Sequence, residues 1–334
     1  MKQKKFYLFI QILRMLFSFH ILVFHCINKK LYKSKLIKII IKDVSIDLGI
    51  FFIISFFYSY NSFTLRNILK IKQRFYRLLI PYIIWPNVFF VINNLTFYIY
   101  RKKSHIKLIA LYYQLLIGNG IHGVFWFQFN LIFLSLFFII IIFISKERYL
   151  LYLFLIGILL YLFLYSSYYN KFFPITFLFF SIRPIFKTYI YSFFGFILFP
   201  INIDDELKKY RQKSLFICFI IFNLFIYYNN LYGNNNYFFM IKVLGCINIF
   251  IFFLILPLNE IKNNIIINII KLLTRYTGGI CYLHTKVQLL LEYFFIKKKS
   301  KTVIVCIINY LICYFICLIG SKIFRNYYIR YLFI

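Results

Sequence analysis

Arg14 and His25 stand eleven residues apart in LFIQILRMLFSFHILVFHCIN, a stretch that is otherwise almost wholly apolar. At 100° per residue, eleven steps end about 20° past three full turns, with a rise of about 16.5 Å. A helix over this stretch carries Arg14, Ser18 and His25 on one stripe, whereas His20 lies about 140° from His25. An imidazole titrates where a base must work to take the proton of an attacking hydroxyl. A guanidinium nearby can orient a carbonyl or stabilise the oxyanion that forms on it. The bland alternative is an arginine that snorkels to the membrane surface and a histidine at the far end of the span. An arginine at the centre of a membrane helix costs roughly 2.5–3.5 kcal/mol on insertion scales, which is why it is read first for function.

A second group lies in LRNILKIKQRFYRLLIP, residues 65–81, where Arg66, Lys70, Arg74 and Arg77 recur at helical spacing. Ile68, Leu69, Phe75 and Leu79 fall on the opposite face, which predicts an amphipathic interfacial helix leading into a span. Anchoring to phospholipid accounts for such a stripe. The sharper reading is a cradle for a polyanionic cosubstrate, because arginine grips phosphate bidentately. Trp126, in GNGIHGVFWFQFN, marks a span end, and His122 precedes it by one turn. In TRYTGGICYLHTKVQLLL, Gly278 and Gly279 allow close helix approach, and Tyr282 and His284 follow them into an apolar span. No metal is indicated. The seven cysteines form no CxxC pair, and the one acidic run, Asp204-Asp205-Glu206, reads as a solvated loop.

The elements that must position these residues are membrane helices. Of 334 residues 63% are hydrophobic and only 14% charged, and the mean hydropathy is +0.81. A soluble domain is about a quarter charged, so too little polar surface remains to cover a water-soluble globule. The net charge of +32 does not point to nucleic acid, because Lys and Arg sit in short runs between apolar stretches, where they meet lipid phosphates. At roughly 20 apolar residues per span, the chain divides into about ten, near 6–28, 45–60, 78–100, 124–145, 149–168, 185–201, 213–231, 237–258, 275–296 and 302–321. The shorter apolar pieces 105–118 and 171–184 read as interfacial or re-entrant, with a helix break at Pro184. The expected fold is all-α: a polytopic transmembrane helix bundle forming one domain over 1–334, with no separate soluble domain. A small excess of Lys and Arg on the inner loops favours a cytoplasmic N-terminus.

These residues, in this order, resemble the integral-membrane acyltransferase-3 family. Arg14, ten intervening residues and His25 are similar to its first-span signature. Asp47-Leu-Gly-Ile-Phe-Phe-Ile-Ile-Ser55 resembles its second-span opening, and Arg74-Phe-Tyr-Arg77-Leu-Leu-Ile-Pro81 its RxxR element. Phe125-Trp126-Phe127, Arg183 with Phe193-Phe194-Gly195, and Ile280-Cys-Tyr-Leu-His284 resemble three later elements. Two positions depart from the pattern: Phe56 stands where the family has Gly, and His122 stands four residues from the tryptophan instead of beside it.

The resemblance implies O-acylation of polysaccharides or other carbohydrates by transfer from acyl-CoA, most simply acetyl-CoA, in the cell membrane. Acyl-CoA is then the donor substrate and no cofactor is held permanently; the partners are a glycan acceptor and membrane lipids, with no nucleic acid. His25 becomes the candidate base with Arg14 beside it, and Arg74 and Arg77 the candidates for the CoA phosphates, supported by Arg66 and Lys70. Ser55, Trp126, Tyr282 and His284 are further cavity candidates. Many relatives add a periplasmic hydrolase-like domain, for which 334 residues leave no room. A polysaccharide exporter or transporter without catalysis would use an Arg/His pair equally well, but has no need of the RxxR element. A different membrane O-acyltransferase built on one buried histidine leaves Arg14 unexplained.

Overall fold

The structure is a computed structural model that describes residues 8–26, 47–100, 108–116, 125–165, 182–199, 211–232, 239–256, 264–295, 303–323 and 332. Every element among the described residues is helical. The chain forms two compact units, Met1–Ile54 with Leu198–Arg325 and Phe333–Ile334, and Ser55–Ile197 with Asn326–Leu332.

In the first unit, helix α1 (Leu8–Cys26) is the central element. It packs against α9 (Phe239–Ile255), α10 (Asn264–Thr274), α11 (Thr277–Phe295) and α12 (Val303–Ile323). Phe9 meets Phe250 edge to face at 5.8 Å, and Phe19 meets Tyr310 at 5.9 Å. The pair α8 (Arg211–Tyr232) and α9 is tied by the buried Asn248 amide, which donates to the Cys218 carbonyl. Such amide bridges satisfy polar groups that the apolar surroundings would otherwise strand.

The second unit begins inside α2 (Asp47–Thr64) and continues through α3 (Ile68–Tyr100), α4 (Leu108–Leu116), α5 (Phe125–Ser145), α6 (Tyr149–Tyr165) and most of α7 (Ile182–Leu198). Its core is aromatic. Phe56, Phe63, Phe138 and Phe196 are fully buried, and their rings meet at 4.7–6.4 Å. Tyr189 packs on Phe137 and Phe138 of α5 while its hydroxyl donates to the Leu153 carbonyl of α6. One ring touching both helices requires α5 and α6 to lie side by side. The chain reverses between them at Lys146–Arg148, where Lys146 takes a left-handed φ of 47°.

The α2–α3 turn is built the same way. Asn67 N–H donates to the Ser62 carbonyl and Arg66 N–H to Phe63, a pairing that closes a helix on a left-handed residue. That residue is usually glycine; here it is Arg66, with φ 49°. Its guanidinium sits 4.9 Å from the Phe143 ring and donates to the Ile142 carbonyl, contacts a glycine cannot make. Asn67 then caps α3 by accepting from Lys70 N–H.

Residues 65–81 are not a separate interfacial helix. They run into one continuous helix of 33 residues that contains both Pro81 and Pro86, about 50 Å long at 1.5 Å per residue. A proline inside a helix removes a donor and frees a carbonyl, here that of Arg77. One residue beyond that carbonyl, Gln128 of α5 donates to the Leu78 carbonyl, and the Tyr82 hydroxyl of α3 donates to the Leu115 carbonyl of α4. Pro184, by contrast, falls in the first turn of α7, where a missing N–H costs nothing.

Three helical stretches among the described residues are long and apolar enough to cross a membrane: Ile68–Asn94, Phe125–Leu160 and Val305–Ile323. Leu8–Val23, Gln212–Ile221, Lys242–Ile255 and Asn264–Thr274 are shorter apolar helices. The first crossing stretch starts ten residues before the span expected at 78–100, which places Arg74 within it.

Candidate functional site

In the first unit the α1 stripe meets α11. Arg14 donates through Nη2 to the Thr277 hydroxyl at 3.1 Å, and the Cys281 thiol lies 3.9 Å from the Ser18 hydroxyl. Arg14 and Ser18 are four residues apart, as are Thr277 and Cys281, so each pair stacks on one helix face. Ser18 returns its own proton to the Arg14 carbonyl, which keeps it inside the α1 ladder. Thr277 opens α11 and is itself anchored to the Thr274 carbonyl. A guanidinium is thereby held among hydroxyl dipoles on a helix that insertion alone would penalise.

His25 belongs to α1, but its side chain lies outside the described residues, as does His122 altogether. His284 is fully buried, with Nδ1 3.2 Å from the Ile280 carbonyl. Asn309 of α12 donates to the His284 backbone carbonyl. Tyr282 is half-buried and sits about 140° around α11 from Thr277.

In the second unit Arg74 is gripped from two helices. Its Nε donates to Ser135 Oγ at 3.0 Å, Nη1 to the Ser55 carbonyl at 3.2 Å and Nη2 to Ser55 Oγ at 2.9 Å. Ser135 gives its own proton to the Leu131 carbonyl, so it is set as an acceptor for Nε. Phe56 and Phe63 flank the guanidinium at 5.2 and 5.5 Å from the ring centres. Phe56, the departure from the family pattern, therefore supplies a face on which Arg74 stacks. Three of the five guanidinium N–H groups are used in these bonds. Arg77, three residues on and about 60° around α3, is exposed. Lys70 is exposed as well, and Arg66 is engaged at the α5 end.

Trp126 is half-buried in the first turn of α5, edge to face with Phe127. It stands nine residues before Ser135, about 13.5 Å along the helix axis. The structure thus joins Ser55 to Arg74 and places Arg14 against α11. It makes no joint between Trp126 and Arg74. Sequence reasoning missed Thr277, Cys281, Ser135 and Gln128, each a small or neutral polar residue in an apolar run.

Long apolar helices carrying arginines that are held by buried hydroxyls define a membrane protein built to keep cations inside its helical core. The acyltransferase-domain family profile matches residues 7–324, nearly the whole chain. The chain belongs to the acyltransferase-3 family and is a membrane acyltransferase. No curated protein and no solved structure matches it.

Proposed function

We propose that this acyltransferase is an O-acyltransferase that crosses the cell membrane about ten times and moves an acyl group, most simply acetyl, from acyl-CoA to a hydroxyl of a polysaccharide or other carbohydrate. The observation that carries this reading is the α1 stripe: Arg14, held by Thr277, shares one helix face with His25. His25 takes the proton of the acceptor hydroxyl as its oxygen attacks the thioester carbonyl. The C–S bond then breaks, and the CoA sulfur leaves as a thiol once it receives that proton. Arg14 is suited to the charge that gathers on the carbonyl oxygen.

Arg74 and Arg77 are the proposed contacts for the CoA phosphates, with Lys70 and Arg66 adding charge at the same end of α3. Ser55 serves by holding Arg74, and Trp126, Tyr282 and His284 are proposed to line the path of donor or acceptor. The binding step needs no resident cofactor. The test is mass spectrometry of cell-surface glycans from cells with and without the protein. An acetyl increment that depends on the protein, and is lost in His25→Ala, is the expected result. Identical glycans in the two strains would overturn the carbohydrate acceptor.

A further inference from the structure

The seam between α3 and α5 contains a buried acceptor that nothing among the described residues satisfies. Gln128 is 1% exposed. Its Nε2 donates to the Leu78 carbonyl, which fixes which end of the amide faces α3. Its Oε1 is buried and has no hydrogen-bond partner among the described residues. Leaving such an oxygen unpaired is costly, so a partner beyond the described residues is called for. An amide oxygen accepts only, and therefore the missing group is an N–H or an O–H.

The position of this acceptor narrows the class. Gln128 and Ser135 are seven residues apart on α5 and share one stripe, and their contacts on α3, Leu78 and Arg74, are four apart. Along α3 the order from the basic end is therefore Lys70, Arg74 and then the Gln128 contact at Leu78, about 6 Å beyond Arg74. A CoA thioester has the same order: phosphates, then a pantetheine arm with secondary amides, then the acyl carbonyl.

We propose that Gln128 Oε1 accepts a hydrogen bond from an amide N–H of the donor's pantetheine arm, threaded along the α3–α5 seam. This rests on the acyl-CoA donor put forward above. Gln128 is a binding residue in this scheme and takes no part in proton transfer. Asn130 is also buried, and its Nδ2 also lacks a partner among the described residues. It lies about 160° around α5 from Gln128 and serves as the control.

The experiment measures dissociation constants of the full-length protein in nanodiscs for CoA and for adenosine 3′,5′-bisphosphate, which has the phosphates but no amide. Gln128→Leu should weaken CoA about tenfold and leave the bisphosphate unchanged. Asn130→Leu should change neither. On the wild-type protein, a CoA analogue whose amide N–H is replaced by an ester oxygen should lose affinity by a similar factor, whatever the variants do to folding. Unchanged CoA affinity in Gln128→Leu, equal losses for both ligands, an ester analogue that binds like CoA, or an effect confined to the acceptor KM would each overturn the assignment. Wild-type protein that binds neither ligand would instead remove the acyl-CoA donor, and Gln128's role with it.

Discussion

The α1–α11 seam of the first unit and the α3–α5 seam of the second face the same physical problem, an arginine on an apolar helix, and solve it with different materials. At the first, a threonine hydroxyl at a helix start takes one Nη of Arg14. At the second, two serines on two helices take three N–H groups of Arg74, and two phenylalanine rings lie beside it. A planar group bonded through Nε, Nη1 and Nη2 to two helices is fixed in orientation. The hydroxyl that meets Arg14 is itself anchored, by its own proton, to the Thr274 carbonyl at the start of α11. In the reaction proposed above, the second seam is assigned the fixed charge of the donor phosphates and the first the charge that develops on the carbonyl. Each of the following measurements would break or sharpen that division.

The largest effect belongs to the stripe of the first seam. His25→Ala should lower acyl transfer by roughly 10²–10⁴, the range of a lost general base, with expression and membrane insertion near normal. His20→Ala should be mild. Reversed effects of the two substitutions would mean that the helical phase assigned to α1 is wrong.

Next in size is Arg74. Losing a charge-assisted contact to a phosphate costs about 1.5–3 kcal/mol, or roughly ten- to a hundredfold in donor affinity. Arg74→Lys should recover little, because one ammonium cannot bridge Ser55 and Ser135 as the guanidinium does. Arg77 is exposed, where an ammonium keeps its charge in water, so Arg77→Lys should retain more donor affinity than Arg74→Lys. Equal tolerance at both positions would reduce the second seam to a lipid anchor, for which about 1 kcal/mol per charge is expected on removal.

How much of this was legible in the sequence follows from the range of each interaction. The Arg14 stripe is a matter of local helical period and could be read directly. Its partner Thr277 is 263 residues away in the chain, and no periodicity links the two. Ser135 looked like one serine in a run of phenylalanine and isoleucine; only packing against α3 gives it a role. The interfacial helix expected over 65–81 is instead the start of the continuous α3, and the bonds at the level of Pro81, Gln128 to Leu78 and Tyr82 to Leu115, are tertiary contacts that no local period announces. Phe56 registered only as a missing glycine, since a ring under a guanidinium is invisible until the two helices meet.

Thr277 offers a smaller test of the first seam. Thr277→Val keeps the shape and removes the acceptor of Arg14, so a loss of about 1.5 kcal/mol, roughly tenfold, is expected. The loss should fall on kcat and leave donor affinity alone, because Arg14 is assigned to the reacting carbonyl. Thr277→Ser should restore most of the rate. A Thr277→Val variant that loses donor affinity instead would assign Arg14 to donor binding and erase the contrast between the seams.

The smallest expected effect is at Cys281, and it decides whether the first seam transfers the acyl group directly. Cys281 is a nucleophile in kind, stacked one turn from Thr277 and facing Ser18. A separation of 3.9 Å between sulfur and oxygen is at the far edge of a hydrogen bond, so the thiol contributes shape more than polarity. Direct attack by the acceptor hydroxyl needs no sulfur, and Cys281→Ala should stay within about twofold of the parent rate, a change well under 1 kcal/mol. Cys281→Ser, which is isosteric and polar, should behave alike. The check is the single-turnover rate of both variants, together with intact-mass analysis of protein mixed with acyl-CoA. A rate lost in both variants, with an acyl adduct on the parent that disappears in them, would mean that the chain forms a thioester on Cys281 first. His25 would then activate the hydroxyl against that thioester instead of against CoA, and the first seam would be a covalent relay.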